Sequence, residues 1–416
     1  MIIKEKNKRL NISLDNKSDD IELYKDIYGT HVKIGNKVYG DMPELKKVED
    51  YLYEITIDEI DENYYKEVLG YPMGGCSEIR NGDFIGRNYD WKYSNDCEFV
   101  VRTLPRKDRY ASIGISSVKA TKQELSNGIY NEKLKLIPYQ LLDGINECGV
   151  YCGINVVPTG DKGITKGTHP GKKDLPNIAM PRLVMDKASS AKEAVKLLDR
   201  YNIHSVKYDG EVIELHALIA DAEDTFIVEF VDNKMSVIPY EDKKAIMTNF
   251  YLTDWNGEVK AKWFDNTDEE IRETGLTNHA EGLERYLILQ NGLDNVSSID
   301  SAMDLMKQVK FTKAYDKSID PFWYSELVGA RGLTIYNTKE EYEPVVDIFV
   351  QMFEERTREN TSTWQTVHCS CYDIINKEFK VVVQEGDTVH EYSLGTNDKL
   401  ENSNYKEKVK TTWSSK

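Results

Sequence analysis

Residues 74–91 read Gly74-Gly-Cys-Ser-Glu-Ile-Arg-Asn-Gly-Asp-Phe-Ile-Gly-Arg-Asn-Tyr-Asp-Trp91. Asn81-Gly82 is a strong hairpin signal, because a type I′ turn needs positive φ at both central residues. A two-residue Asn81-Gly82 loop pairs Arg80 with Asp83 and sets Cys76 directly opposite Arg87. Cross-strand partners have Cβ atoms about 4.5–5.5 Å apart, so the guanidinium is expected to reach the sulfur and favour its thiolate. Asp90 lies farther along the same returning strand. The two glycines before Cys76 leave the Gly75–Cys76 peptide accessible and make it the expected self-cleavage site. If that bond is cut by an N-to-S acyl shift and hydrolysis of the thioester, Cys76 carries both nucleophile and base. A freed α-amine titrates at about 7.7–8.0 and a thiol at about 8.5, and general-base catalysis wants a base poised near neutral pH. No catalytic histidine is then required in a chain with 7. The local stretch also fits a buried structural cysteine beside a tight turn.

Residues 1–75 differ in character from the rest of the chain. A polar start and a strand-like His31-Val32-Lys33-Ile34 precede an acidic, helix-favouring run from Pro43 to Val68. Gly70-Tyr-Pro-Met-Gly-Gly75 then stops any helix. Beyond Cys76 the period-two pattern of Phe226-Ile-Val-Glu-Phe-Val231 and Met235-Ser-Val-Ile238 predicts a hairpin, and so do Gln365 to Asp373 and Glu378 to Val383 across Asn376-Lys377. Ser190-x-x-Glu193 is a capping box before apolar Ala191, Ala194, Val195 and Leu198, and Ile299, Ala302, Met303 and Met306 repeat the helical spacing. Strand pairs alternating with amphipathic helices predict a layered α+β body. Thr159 to Pro176 reads as a long surface loop.

With 54 Lys+Arg against 71 Asp+Glu, the 416-residue chain carries a formal charge of −17. A surface so acidic repels phosphate backbones and anionic headgroups, which argues against nucleic acid and membrane as partners. The first twenty residues lack a secretory apolar run, and no stretch approaches the roughly 18 apolar residues of a membrane span, so the expected location is the cytoplasm. Cys76, Cys97, Cys148, Cys152, Cys369 and Cys371 are too sparse for a disulfide scaffold and are expected to be reduced.

Gly86-Arg-Asn-Tyr-Asp-Trp91 resembles the GRN-x-D-W stretch that follows the nucleophilic cysteine in the choloylglycine hydrolase family of N-terminal nucleophile (Ntn) hydrolases, which holds bile salt hydrolases and penicillin V acylases. Asn146-Glu-Cys-Gly-Val-Tyr-Cys-Gly-Ile-Asn155 resembles its N-E-x-G-L-x-x-x-G-L-N segment, Thr248-Asn249 its strand-end Thr-Asn, and Gly282-Leu-Glu-Arg285-Tyr, more weakly, a helix start bearing an active-site arginine. His216 to Asp221 and Thr363 to Val367 look like structural strands of the family. The resemblance implies a four-layer αββα sandwich of two antiparallel sheets flanked by helices. It further implies catalytic Cys76, Arg87 positioning the thiol, Asp90 holding the α-amine, Asn155 and Asn249 as oxyanion donors, and Arg285 in the active site. Tyr89, Trp91 and Tyr93 are candidates for walling an acyl pocket. Because 75 residues precede Cys76, the branch with longer propeptides, similar to acid ceramidases and isopenicillin N acyltransferases, is the better guide. The expected organisation is a prosegment, 1–75, cleaved before Cys76 and either released or retained as a small subunit, a catalytic domain, 76–396, and a polar tail, 397–416.

The implied activity is hydrolysis of a linear non-peptide C–N amide (N-acyl amide, bile-salt-like or penicillin V-like) through a thioester acyl-enzyme, with no cofactor and no metal. Transfer of the acyl group to an amine and a non-catalytic binding role on the same fold are the alternatives. The expected partners are a small-molecule amide and the chain's own prosegment, and a homo-oligomer is compatible with the sequence. Two other chemistries compete. Cys148-x-x-x-Cys152 and Cys369-x-Cys371 offer four thiols to zinc, and papain-like catalysis would need one of the histidines beside the thiol.

Overall fold

The computed structural model describes residues 21–26, 29–34, 37–41, 44–47, 52–57, 76–91, 96–119, 137–157, 171–208, 211–231, 234–253, 282–310, 365–383 and 388–394. Strands β1 (Ile21–Asp26), β2 (Gly29–Ile34) and β3 (Lys37–Asp41) form a sheet of their own, and β2 contains the strand expected at His31 to Ile34. Where it is described, the acidic run from Pro43 is not helical. It forms β4 (Glu44–Lys47) and β5 (Leu52–Ile57), and β5 pairs in parallel with β8 (Asp96–Thr103). Local composition favours a helix there, but Leu52, Ile55 and Ile57 are at most 2% exposed, and strand preference follows such burial against neighbouring strands. Residues 58–75, including Gly75, lie outside the described residues.

The hairpin around Asn81 is present as β6 (Cys76–Asn81) and β7 (Phe84–Trp91), with its register displaced by one residue on each strand. Asn81 pairs with Phe84, Glu78 with Arg87 and Cys76 with Tyr89. The loop is Gly82-Asp83, and only Gly82 has positive φ (+59°), as in a II′ turn with glycine at its first central position. Asn81 remains a strand residue because its side-chain amide donates to the carbonyls of Leu293 and Val296 at 2.9 Å each. Arg87 is therefore a diagonal neighbour of Cys76, still on the same face.

Two sheets face each other. One runs β18 (Lys244–Met247), β6, β7, β19 (Gln365–Asp373), β20 (Glu378–Val383), β21 (Val389–Ser393). The larger runs β17 (Lys234–Pro239), β16 (Thr225–Val231), β15 (Glu211–Ala220), β11 (Tyr151–Val157), β10 (Asp143–Asn146), β9 (Ser112–Lys119), β8, β5, β4, with β14 (Val206–Tyr208) added to β15. Its described pairings are antiparallel except β5 with β8. Both hairpins expected from alternation are present, as β16–β17 and β19–β20. The end of the stretch read as a long loop is a strand, β12 (Lys173–Pro176), parallel to β13 (Tyr201–His204). Residues 158–170 lie outside the described residues.

Helices α1 (Met180–Lys187) and α2 (Ala191–Leu198) cover the outer face of the larger sheet, and α3 (Leu283–Gly292) and α4 (Ile299–Gln308) that of the smaller. Ser190 caps α2 by accepting from Glu193 N, while the Glu193 carboxylate reaches back to Ser189 N. Ile299, Ala302, Met303 and Met306 form the buried stripe of α4. The fold is an α+β sandwich of two largely antiparallel sheets between helical layers. Among the described residues no helix is long and apolar enough to cross a membrane. The tail, 397–416, and Thr363 and Trp364 fall outside them.

Candidate active site

Strand alternation decides what surrounds Cys76. Residues two apart on a strand share a face, so Cys76 and Glu78 of β6 and Arg87 and Tyr89 of β7 point between the sheets, while Ser77 and Asp90 point toward α3 and α4. Cys76 is fully buried, and three of its atoms are held by three side chains. Arg87 Nη2 lies 3.6 Å from Sγ. The backbone N–H donates to Asn249 Oδ1 at 2.8 Å. The carbonyl oxygen accepts from Arg285 Nη1 at 2.7 Å.

Asn249 reaches this position because β18 pairs with β6, Met247 opposite Glu78, and the chain leaving β18 passes beside Cys76. That turn is braced from the larger sheet. His216 Nε2–H donates to Thr248 O at 2.8 Å and Nδ1 faces Glu229 Oε1 at 3.2 Å, while the Glu229 carboxylate accepts from the backbone of Leu252 and Thr253. Arg285 sits in the first turn of α3, where Arg285 Nη1 also donates to Ser77 Oγ at 2.8 Å and faces Asp90 Oδ2 at 3.4 Å. Thr366 Oγ1 donates to the other Asp90 oxygen at 2.5 Å.

The two asparagines link the sheets. Asn155 Nδ2 donates to Met247 O at 3.1 Å and Asn249 Nδ2 to Val156 O at 2.8 Å, and Asn155 Oδ1 is buried with no hydrogen-bond partner among the described residues. Tyr89 and Trp91 are buried in the core, Tyr89 with its ring 5.1 Å from that of His368. Tyr93 lies outside the described residues.

Beneath the sulfur lies a charged network that sequence reasoning missed. Arg87 Nε donates to Glu78 Oε1 at 3.0 Å, Nη1 to Asp143 Oδ2 at 3.1 Å and Nη2 to Ile154 O at 2.8 Å. Tyr151 bonds the second Glu78 oxygen at 3.3 Å, and the Tyr372 hydroxyl donates to Asp143. His368 lies between Glu98, 2.5 Å from Nδ1, and Asp143, 3.9 Å from Nε2. Glu78, Arg87, Asp143, Glu98 and His368 are all fully buried. Burial pushes the Cys76 thiol up to about 11 against the pull of Arg87, and Glu78 up to about 8. Burial opposes the charged forms of Asp143 and His368 too. The His368 and Arg87 contacts nevertheless hold Asp143 below the usual carboxylate range, and Glu98 and Asp143 raise His368. The strand alternation that places Glu78 beside Cys76 was available in the sequence. Asp143, Glu98 and His368 become neighbours only through the order of strands.

The four other thiols considered for zinc do not converge. Cys152 packs in the core beneath α1 and α2, Cys369 and Cys371 in the core beneath α3 and α4, and Cys148 is exposed. Among the described residues no three His, Cys, Asp or Glu side chains are grouped to hold a metal. Of the histidines, His216 has its ring nitrogens turned to Thr248 and Glu229, and His368 to Glu98 and Asp143.

Against known proteins, residues 77–285 match the family described as linear amide C–N hydrolases, choloylglycine hydrolase family. No curated protein sequence matches the chain. Among solved structures, a variant of the conjugated bile acid hydrolase from Clostridium perfringens is similar at 14% identity and a TM-score of 0.46, over 81% of this chain and 97% of that one. Penicillin V acylase from Agrobacterium tumefaciens is similar at 15% identity and a TM-score of 0.42, over 77% and 92%. The family match takes in just over half of the 416 residues, running from Ser77, next to the buried cysteine, to Arg285. The chain therefore belongs to the choloylglycine hydrolase family of linear amide C–N hydrolases.

Proposed function

We propose that the protein is a cysteine amidase that matures by cutting its own chain before Cys76 and then hydrolyses a small linear amide. In maturation Cys76 Sγ attacks the Gly75 carbonyl carbon. The C–N bond breaks, the thiol proton passes to the departing nitrogen, and a thioester and a free α-amine remain. Water cleaves the thioester, giving the Gly75 carboxylate and the free thiol. In turnover the thiol attacks the amide substrate with the α-amine relaying its proton to the leaving amine, and water again releases the acid. Such nucleophilic catalysis divides one hard step into two easier ones.

The observation that supports this reading most is the convergence of Arg87, Asn249 and Arg285 on the sulfur, nitrogen and carbonyl oxygen of one residue. A structural cysteine has no need of two arginines and an asparagine around its backbone and sulfur. Asn249 Oδ1 is placed to hold the nitrogen that becomes the α-amine, with Asp90 ordered behind it by Thr366 and Arg285. Asn155 and Asn249, whose side-chain amides reach across the sheets to Met247 O and Val156 O, are the residues this reading assigns as donors to the tetrahedral oxyanion.

The prosegment stays on as a bound subunit in this reading, because β5 is a strand of the larger sheet. Intact mass spectrometry of the wild type beside Cys76→Ala tests the proposal. Two fragments divided at Gly75–Cys76 in the wild type and one full-length chain in the variant are expected. A panel of bile salt conjugates, aryloxyacetamides, N-acyl amino acids and fatty amides then identifies the acyl group. A Cys76→Ala protein that is still cut and still hydrolyses amides ends the proposal.

A further inference from the structure

Arg87 is the group nearest the sulfur in charge and is shared among acceptors on three strands: Glu78 on β6, Asp143 on β10 and the Ile154 carbonyl on β11. How strongly its charge acts on Cys76 depends on the charge of the carboxyls that share it. Asp143 is committed as an anion by Arg87, Tyr372 and His368. Glu78 is different. Its cross-strand partner is Arg87, its neighbour across β18 is Met247, and across the sheets it meets Tyr151, Asp143 and the backbone of Gly153. A Cβ on Gly153 would come within 2.6 Å of both carboxyl oxygens, so the glycine leaves a slot that the carboxyl fills. Among the described residues Arg87 is the one cation bonded to Glu78, and Arg87 already serves Asp143.

We propose that Glu78 is a positioning residue for the nucleophile, a buried acid that orients Arg87 against Cys76 and whose own proton sets how much of the Arg87 charge the sulfur feels. When Glu78 is protonated, Arg87 balances Asp143 and a forming thiolate. When Glu78 is ionised, Arg87 is divided between two carboxylates and the thiolate is disfavoured. The burial that holds the Glu78 proton up to about pH 8 keeps the acid neutral under ordinary conditions, so the nucleophile works in the favourable state. The proposal rests on Cys76 being the nucleophile.

The test is spectroscopic and needs no substrate. On the protein as purified, the protonated-carboxyl band in the infrared difference between wild type and Glu78→Gln should disappear with a midpoint of about 8. The S–H stretching band of Cys76, isolated by subtracting Cys76→Ala, should titrate roughly two pH units lower in Glu78→Gln than in wild type. That is the size expected of a unit charge several ångströms away at an effective dielectric constant of about 20. Gln reproduces the shape and hydrogen bonds of the protonated acid, so a purely structural role for Glu78 predicts an unchanged thiol midpoint, and that result overturns the proposal. Should Glu78→Gln not fold, Tyr151→Phe removes a hydroxyl that favours the charged carboxyl and should move the carboxyl midpoint upward, and an unmoved band overturns the proposal equally. Absence of self-cleavage with both bands at their expected midpoints would count against the nucleophile reading alone.

Discussion

Arg285 and Asn249 are joined by a hydrogen bond of 2.6 Å from Nη2 to Oδ1, and the same oxygen accepts the Cys76 backbone N–H at 2.8 Å. Because Arg285 Nη1 also donates to the Cys76 carbonyl, one guanidinium governs both sides of that residue. Hydrogen bonds from charged donors contribute about 1.5–3 kcal/mol each, and about 1.4 kcal/mol is a factor of ten in rate. Arg285→Gln should therefore slow self-cleavage and amide hydrolysis by roughly 10²-fold. Arg285→Lys keeps the charge but loses the planar fork and should recover little of that. Time courses of fragment formation and steady-state kinetics check both variants, and a lysine variant as fast as wild type would reduce the arginine to a point charge.

Gly282 makes the placement of Arg285 possible. Its φ is +86°, and an added Cβ would come within 2.9 Å of Arg285 Nη2 and of Thr248 Oγ1. Thr248 precedes Asn249, so the clash falls on Arg285 itself and on the residue next to its partner. Gly282→Ala should lower activity at least tenfold while the folded fraction at the assay temperature stays near that of wild type, since backbone strain of this kind costs on the order of 1–3 kcal/mol. Activity and unfolding measured on the same preparation separate the two, and an active variant would show that the turn re-forms without displacing Arg285.

What could be read in the sequence was local. Asn81-Gly82-Asp83 announces the hairpin, and the spacing of Cys76 and Arg87 puts a cation beside the thiol in the expected and the observed register alike, while Asp90 falls on the opposite face of β7. The register departs from the local expectation because the Asn81 side chain is engaged by carbonyls of Leu293 and Val296, about two hundred residues away in the chain. The run after Pro43 departs from it for a similar reason, since its acidic, helix-forming composition gives way where Leu52 and Ile55 meet β8. Glu78 could have been found by counting two residues from Cys76. His216, His368, Glu98 and Asp143 could not, because what matters about them is their position in the order of strands, which hydrophobic alternation does not encode.

The buried Glu78 also leaves a mark on stability. In the folded protein it keeps its proton to about pH 8, whereas an ordinary glutamate releases it at about 4.5. Between those values the folded state binds more protons than the unfolded one, so this group makes stability fall as pH rises through that window. Glu78→Gln has no such proton, and its stability relative to wild type should increase from about pH 5 to about pH 8.5. Urea unfolding at the two pH values measures the difference directly. A relative stability that is flat or falling would mean that Glu78 is already ionised at about pH 5.

Among the described residues before Cys76, those of β5 are the ones built into the larger sheet beside β8. Along β5, Leu52 packs toward the space between the sheets, whereas Tyr53, Ile55 and Ile57 pack on the outer side with Phe99 and Val101, the Tyr53 and Phe99 rings 5.5 Å apart. A strand buried on both faces and paired along its length to β8 is held by the fold whether or not the chain is continuous at Cys76. The two fragments of a cleaved protein should therefore coelute on gel filtration in native buffer and separate only in denaturant. Leu52→Ala and Ile55→Ala should each cost about 2–5 kcal/mol, as large-to-small changes at buried positions do, and together they should release the fragment. Native coelution lost in the unmutated cleaved protein would mean that β5 is needed to fold the catalytic body but not to keep it folded.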